Sequence, residues 1–104
     1  MSEGNLMIPY SLRFPEYMDG YEVETEAKGY LVDVVISTEE AAFDLTVYDP
    51  VRLAQEVSDE VPSSGYFVMA NVLVVPAVTR GEILRAVDRL ARVEFSGLIP
   101  KFGK

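Results

Sequence analysis

Apolar and polar residues alternate along three stretches in the first half of the chain, at residues 21–27, 30–37 and 43–49. A period of two is typical of a strand that buries one face and exposes the other. Gly29 can adopt the positive φ that a tight turn between the first two stretches requires. In the stretch 30–37, the even-numbered residues are assigned to the buried face. The pattern predicts three antiparallel strands that share one uncovered polar face: Glu22, Glu24, Glu26, Asp33, Asp44, Thr46 and Tyr48.

A helix is predicted to follow the third strand. Asp49 and Pro50 suit the N-cap and the first helical position, where the missing N–H of proline costs nothing. An apolar stripe recurs at a spacing of 3.6 residues and is predicted to face the sheet. Pro62 is predicted to end the helix, and the apolar run 66–76 is predicted to be a strand in the interior of the sheet. The stripe consists of Leu53, Ala54, Val57 and Val61.

A second helix is indicated by Thr79 and Glu82, which have the spacing of a capping box, and Gly97 is a candidate terminator. The predicted fold is α+β, in the order β-β-β-α-β-α, with an antiparallel sheet of about four strands and two helices packed on one face. The 104 residues are expected to form a single domain. Residues 1–20 would be an N-terminal arm or edge strand, and 98–104 a C-terminal tail.

The composition argues against catalysis and against a cofactor. The chain contains no histidine, which is the commonest general base, and no cysteine, which is the usual thiol nucleophile. These two residues are also the best ligands for transition metals. The acidic residues lack the loop spacing that a calcium site requires. We therefore expect no enzyme activity, no metal and no cofactor. Because the first residues lack the pattern of a signal peptide and cysteine is absent, a cytoplasmic protein is expected.

Charge is distributed unevenly along the chain. The net charge is −8, and residues 1–78 carry 14 acidic and 3 basic residues, which gives −11. An acidic surface repels nucleic acid and favours a basic protein partner. No apolar run reaches the roughly 20 residues of a membrane span. The charge therefore predicts a basic protein partner, with no nucleic acid and no membrane.

The predicted polar sheet face is the leading candidate for a binding surface. Acidic side chains steer a basic partner, and tyrosine is common at contact hot spots. The alternative is a polar face that is merely solvated. The candidate partner-binding residues are Glu22, Glu24, Glu26, Asp33, Asp44, Tyr48 and Arg52.

Two other functions remain open at this stage. A small-molecule sensor or regulatory domain would need a pocket between helices and sheet, lined by Phe43, Tyr66 and Met69. A structural subunit would self-associate through an exposed strand edge at residues 6–14. A monomer or a weak homodimer is expected.

Residues 41–91 resemble small immunity proteins of bacterial polymorphic-toxin systems. One such family has a strand that ends in a Thr-Pro-x-Trp-Leu-like element, then a short helix, an apolar strand and a final helix. Asp49 and Pro50 correspond to its Thr-Pro pair and Leu53 to its leucine, whereas Arg52 replaces its tryptophan. The resemblance implies a non-catalytic protein that neutralises a cognate toxin domain. A nuclease-type toxin, which carries positive charge to hold its substrate, would suit the acidic surface.

Overall fold

A computed structural model describes residues 8–101, so residues 1–7 of the predicted arm and 102–104 of the predicted tail lie outside it. The α+β class is confirmed, but residues 8–101 form three helices where two were predicted for the chain. A short 3₁₀ turn, Glu16–Met18, precedes the first helix. The elements are β1 (Ser11–Arg13), α1 (Glu22–Lys28), β2 (Tyr30–Ser37), β3 (Ala42–Tyr48), α2 (Pro50–Ser64), β4 (Val72–Val74) and α3 (Arg80–Arg92).

The four strands form one mixed sheet in the order β1-β2-β3-β4. The pairs β1–β2 and β2–β3 are antiparallel, whereas β4 is parallel to β3. The prediction of a purely antiparallel sheet is therefore wrong. The physical reason is the connection, because a strand–helix–strand crossover between neighbouring strands returns the chain in its original direction.

The first predicted strand is the helix α1. Its residues are mostly glutamate, alanine and lysine, which favour helix over strand. Thr25 is its buried residue, and the Thr25 hydroxyl donates a hydrogen bond to the carbonyl of Tyr21 at 2.8 Å. Gly29 ends the helix at φ 69°, in the left-handed region. Gly29 therefore caps a helix instead of turning a hairpin, and Glu22, Glu24 and Glu26 lie on a helix instead of a sheet face.

A β-bulge in β2 changes which of its residues are buried. Asp33 has φ 65°, and the register of β2 on β3 shifts between Leu31 and Val34. Leu31 and Val34 therefore both face the core, while Tyr30 lies on the other face beside Tyr48. The predicted alternation holds at Val34 and Ile36 and is wrong before the bulge. One extra residue on one strand is enough to invert the facing pattern.

The helix α3 covers the core face of the sheet. Thr79 is its N-cap, because its side chain accepts a hydrogen bond from the Glu82 N–H at 3.2 Å, which confirms the predicted cap. Ile83, Val87 and Ala91 are fully buried against residues of β2 and β3. No helix within the described residues combines the length and the apolar character that a bilayer span requires.

The helix α2 differs from the prediction in position and in length. Asp49 caps it as predicted, accepting a hydrogen bond from the Arg52 N–H at 2.7 Å. Pro62 lies inside the helix, which continues to Ser64 and is capped by Gly65 at φ 88°. None of its residues is buried, and none belongs to the core cluster. The helix begins beside Tyr30, on the face opposite α3, so the prediction of two helices on one face is wrong.

Candidate functional site

The predicted acidic sheet face does not form as one surface. Glu22, Glu24 and Glu26 lie on α1, away from the strand positions assigned to them. Glu22 pairs with Arg80 at 3.2 Å, and Arg80 also pairs with Asp19 at 2.8 Å. Hydrogen bonds from its own backbone N–H and from the Arg80 guanidinium lower the pKa of Glu22. The glutamates of α1 therefore contribute to a solvated helix surface that is anchored to the start of α3.

Asp33 and Asp44 do lie together, in a shallow groove of about 630 Å³ on the sheet face opposite α3. Their surroundings are of mixed charge. The Lys101 ammonium lies 3.5 Å from the Asp44 carboxylate, and Arg13 lines the same groove. The acids of this face are thus partly balanced by bases, which weakens it as a surface for a basic partner.

Tyr48 and Arg52 belong to the junction between β3 and α2. Tyr48 is only 1% exposed, and its ring centroid lies 5.3 Å from that of Tyr30. Burial raises the pKa of the Tyr48 hydroxyl, with a further increase from the Glu56 carboxylate. The Arg52 guanidinium stacks 5.0 Å from the Tyr30 ring centroid and pairs with Glu56 at 2.9 Å. The predicted placement of Tyr48 on an uncovered face is wrong, because the start of α2 covers it.

A different surface combines exposed apolar side chains with acidic residues. A groove of about 350 Å³ runs between α2 and the segment that follows it. Three of its apolar side chains are well exposed, at 64% for Tyr66, 77% for Val68 and 42% for Met69. We call this surface the α2 groove. It is lined by Glu56, Glu60, Tyr66, Phe67, Val68 and Met69.

The neighbouring face of α2 extends the apolar area. Val57 and Val61, which were predicted to face the sheet, are both exposed. The acidic side chains of Glu56, Asp59 and Glu60 lie on the same two helical turns. Within α2, Arg52 is the single base against these three acids, so the helix carries a net charge of −2. The α2 groove therefore combines exposed apolar side chains with the carboxylates of Glu56 and Glu60.

The α2 groove leads along the chain into an open sheet edge. Residues 66–76 were predicted to be one interior strand, but only Val72–Val74 pairs, and β4 is the last strand of the sheet. The Thr46 N–H donates to the Asn71 carbonyl at 3.1 Å, and the Val75 N–H donates to the Tyr48 carbonyl at 3.0 Å. In a parallel ladder this spacing directs the N–H and C=O of Val72 and Val74 away from β3.

The sequence contains one signal for this surface besides the apolar and polar pattern. Residues 61–79 carry no charged side chain, although they connect a helix to an edge strand. Edge strands normally carry charges that prevent pairing with other chains. An uncharged run of this kind fits an interior strand equally well. Only the position of β4 in the sheet distinguishes an interior strand from an uncharged edge strand.

The sensor hypothesis predicted a pocket that Phe43 would share with Tyr66 and Met69. Phe43 instead lies in the core, 5.6 Å from the ring centroid of Phe95, while Tyr66 and Met69 line the α2 groove. Residues 8–101 hold no group of three or more carboxylates placed to bind a metal ion. The α2 groove offers apolar contact and negative charge.

Comparison with protein-family models, with curated proteins and with solved structures finds no match for this chain. The resemblance of residues 41–91 to immunity proteins therefore stays a prediction.

Proposed function

We propose that this chain is a non-catalytic protein-binding module for a basic protein, and more specifically an immunity protein that neutralises a basic toxin domain. The observation that carries the proposal is the α2 groove, where exposed apolar side chains meet two glutamates. Single exposed apolar residues are normal on a protein surface. A group of them gathered in one groove and rimmed by polar residues is typical of an interaction site.

The position of α2 supports this function. A 15-residue helix without a buried side chain contributes little to the core of its own chain. Arg52, Asp49 and Tyr30 nevertheless anchor its first turn, so the helix is held at its N-terminal end. An anchored helix with an uncovered apolar side is pre-organised, which lowers the entropic cost of binding.

Charge supports a basic partner. The chain carries a net charge of −8, and two carboxylates line the α2 groove: Glu60, and Glu56, which Arg52 partly balances. Negative potential of this kind accelerates association with a positive protein and disfavours acidic ones. A nuclease-type toxin domain is positive for the separate reason that it must hold nucleic acid. Together with the resemblance at residues 41–91, this favours toxin neutralisation within the wider class of protein binding.

The first experiment uses the C-terminal domain of the protein encoded immediately upstream of this gene. We expect the two proteins to co-purify, and we expect co-expression to protect cells from that domain. We also expect their association rate to fall steeply as ionic strength rises. An upstream gene without a toxin-type domain, or a domain that this chain neither binds nor inhibits, would contradict the immunity function.

A charge-reversal pair locates the binding surface. Glu60→Lys places a positive charge in the α2 groove, whereas Glu40→Lys makes the same change in the exposed connection between β2 and β3. We expect Glu60→Lys to slow association with the upstream-encoded domain by about tenfold, which is within the range that charge steering covers. Glu40→Lys should change it much less. Equal effects would show that net charge matters and the α2 groove does not.

A further inference from the structure

The outer edge of β4 is an unused hydrogen-bonding surface. The N–H and C=O of Val72 and Val74 point away from β3 and make no backbone hydrogen bond within residues 8–101. The backbone of residues 66–70, directly before β4, likewise makes none within the same range. Backbone groups without protein partners bind water or another chain.

The two edges of the sheet differ in their protection. The edge strand β1 spans three residues and carries the charged side chain of Arg13. The β4 edge carries none, and the Val74 side chain is 44% exposed. Charges and short strands are the usual means by which edges avoid pairing. The β4 edge has the short strand only, and a bend at Ala70 and Asn71, where Asn71 has φ 55°, separates this edge from residues 66–69.

We propose that an extended segment of the basic partner binds along the outer edge of β4 as an added strand. This inference rests on the proposed function, because it identifies how the partner is held. Backbone hydrogen bonds would supply affinity, as in other complexes where a peptide adds a strand to a sheet edge. Alternate side chains of an added strand point to opposite faces of the sheet. We expect basic side chains on the face that Val74 shares with Tyr48 and α2, where Glu56 and Glu60 line the α2 groove, and apolar side chains on the opposite face.

Charge argues against a second copy of this chain as the occupant. Pairing two β4 edges around a two-fold axis would place identical surfaces together. Each copy carries a net charge of −8, and its Glu56 and Glu60 line the α2 groove, whose segment 66–69 directly precedes the β4 edge along the chain. Like charges brought together at an interface are costly. A basic extended segment is attracted to the same acidic surface, so we assign the edge to the partner.

The test uses a short synthetic peptide of alternating lysine and valine residues as the probe, with the full chain at low ionic strength. Two control peptides are matched to it in length. In one, glutamate replaces lysine, which reverses the charge and keeps the backbone. In the other, every backbone nitrogen is methylated, which removes the hydrogen-bond donors of both strand edges while the side-chain charges stay.

Amide hydrogen exchange reports the outcome residue by residue. We expect the lysine–valine peptide to slow exchange at Val72 and Val74 by about tenfold, because a backbone hydrogen bond protects each N–H. The glutamate and N-methylated peptides should leave both rates unchanged. Equal protection by the N-methylated peptide, or peptide binding without protection at these two amides, would overturn the added-strand inference. Protection of both amides that grows with protein concentration and without peptide would assign the edge to a second copy instead.

A pair of substitutions tests the edge with the upstream-encoded domain. Val74→Pro removes an outward N–H that the sheet itself does not use, whereas Val74→Thr keeps the N–H and the branched shape. We expect the proline variant to bind that domain at least about tenfold more weakly than the threonine variant. The far-ultraviolet circular dichroism of each variant verifies its fold.

The two proposals can fail separately. If the wild-type chain binds and inhibits the upstream-encoded domain but both Val74 variants bind it equally, protein binding stands and the added strand is excluded. If the wild-type chain does not bind that domain while the lysine–valine peptide protects Val72 and Val74, the edge is a strand-binding site and the immunity function is excluded.

Discussion

Gly29 lies directly against the carboxylate of Asp49, so the end of one helix and the start of another share a single close contact. A Cβ atom at Gly29 would lie 2.7 Å from Cγ of Asp49. The Asp49 N–H donates to the Gly29 carbonyl at 3.0 Å, while the Asp49 side chain caps α2. The contact joins α1, β2 and α2 at the base of the helix that forms the candidate site.

Gly29→Ala should therefore destabilise the chain for two reasons. The backbone at φ 69° is strained for any residue with a Cβ, at about 1–2 kcal/mol. The added methyl group must also displace the Asp49 carboxylate, which costs about 1 kcal/mol if the cap is lost. Gly20→Ala is the matched control, because Gly20 has φ 82° and no atom within 4 Å of its Cβ position.

Urea unfolding measures the difference between these variants. We expect Gly29→Ala to lower the free energy of unfolding by about 1 kcal/mol more than Gly20→Ala. Equal losses would mean that backbone strain accounts for the whole effect and that Asp49 moves aside freely.

Asp49→Ala tests the cap itself. Loss of the hydrogen bond to the Arg52 N–H should cost about 1 kcal/mol, whereas Asp49→Asn should retain most of it because asparagine is an equally good cap. In the Asp49→Ala background, Gly29→Ala should cost only its backbone strain. The two substitutions are therefore expected to be non-additive by about 1 kcal/mol in a double-mutant cycle. Additive losses would show that the two residues act independently.

The parts of the fold that are set by local chemistry were predictable from the sequence. Asp49 and Thr79 are N-caps because each side chain reaches an N–H only three residues away. The segment 22–28 was misassigned because its glutamates at every second position fit a strand, while their helix propensity and Gly29 favour a helix. Over seven residues, sequence spacing alone does not distinguish a strand from a helix.

The other differences between the predicted and the observed fold depend on contacts between segments that are distant in the sequence. The bulge at Asp33 follows from how β2 pairs with β3, and the parallel direction of β4 follows from the crossover through α2. The α2 groove was missed for the same reason. Val57 and Val61 have the spacing of a buried stripe, and only the three-dimensional position of α2 leaves them exposed.

Tyr10 connects the N-terminal segment to α3 and should make stability depend on alkaline pH. Its hydroxyl donates a hydrogen bond to the Asp88 carboxylate. Burial, followed by the hydrogen bond and charge of Asp88, raises the pKa of Tyr10 from 10.0 to about 12. Because the folded-state pKa lies above the unfolded one, this contribution is fully present below pH 10 and is lost as pH rises through about 12.

Tyr10→Phe isolates that contribution. The free energy of unfolding of the wild type should exceed that of the variant near neutral pH, and the difference should shrink as pH rises from about 10 to 12. Asp88→Asn should lower the pKa of Tyr10 in an ultraviolet titration but leave it above 10, since burial is the larger cause. A difference between wild type and Tyr10→Phe that stays constant across this range would contradict the assignment.

Asn71 holds the C-terminal segment against the sheet. Its side-chain amide donates to the Ile99 carbonyl at 2.7 Å, and its side-chain oxygen accepts from the Ile99 N–H at 2.8 Å. Two residues later, the Lys101 N–H donates to the Ala42 carbonyl at 2.6 Å. The segment thus lies beside the half of β3 that β4 leaves unpaired, and Asn71 connects it to the end of the β4 edge.

Substitutions of Asn71 separate its side-chain role from its backbone conformation. Asn71 has φ 55°, so Asn71→Gly keeps the left-handed backbone and removes the amide, while Asn71→Ala adds strain of about 1–2 kcal/mol. We expect faster amide exchange at Ile99 and Lys101 in both variants, and a larger loss of unfolding free energy for alanine than for glycine. Unchanged exchange at these two amides in Asn71→Gly would mean that other contacts, among them those of Lys101 with Ala42 and Asp44, hold the segment, since the Asn71 side-chain bonds would then contribute nothing to its protection.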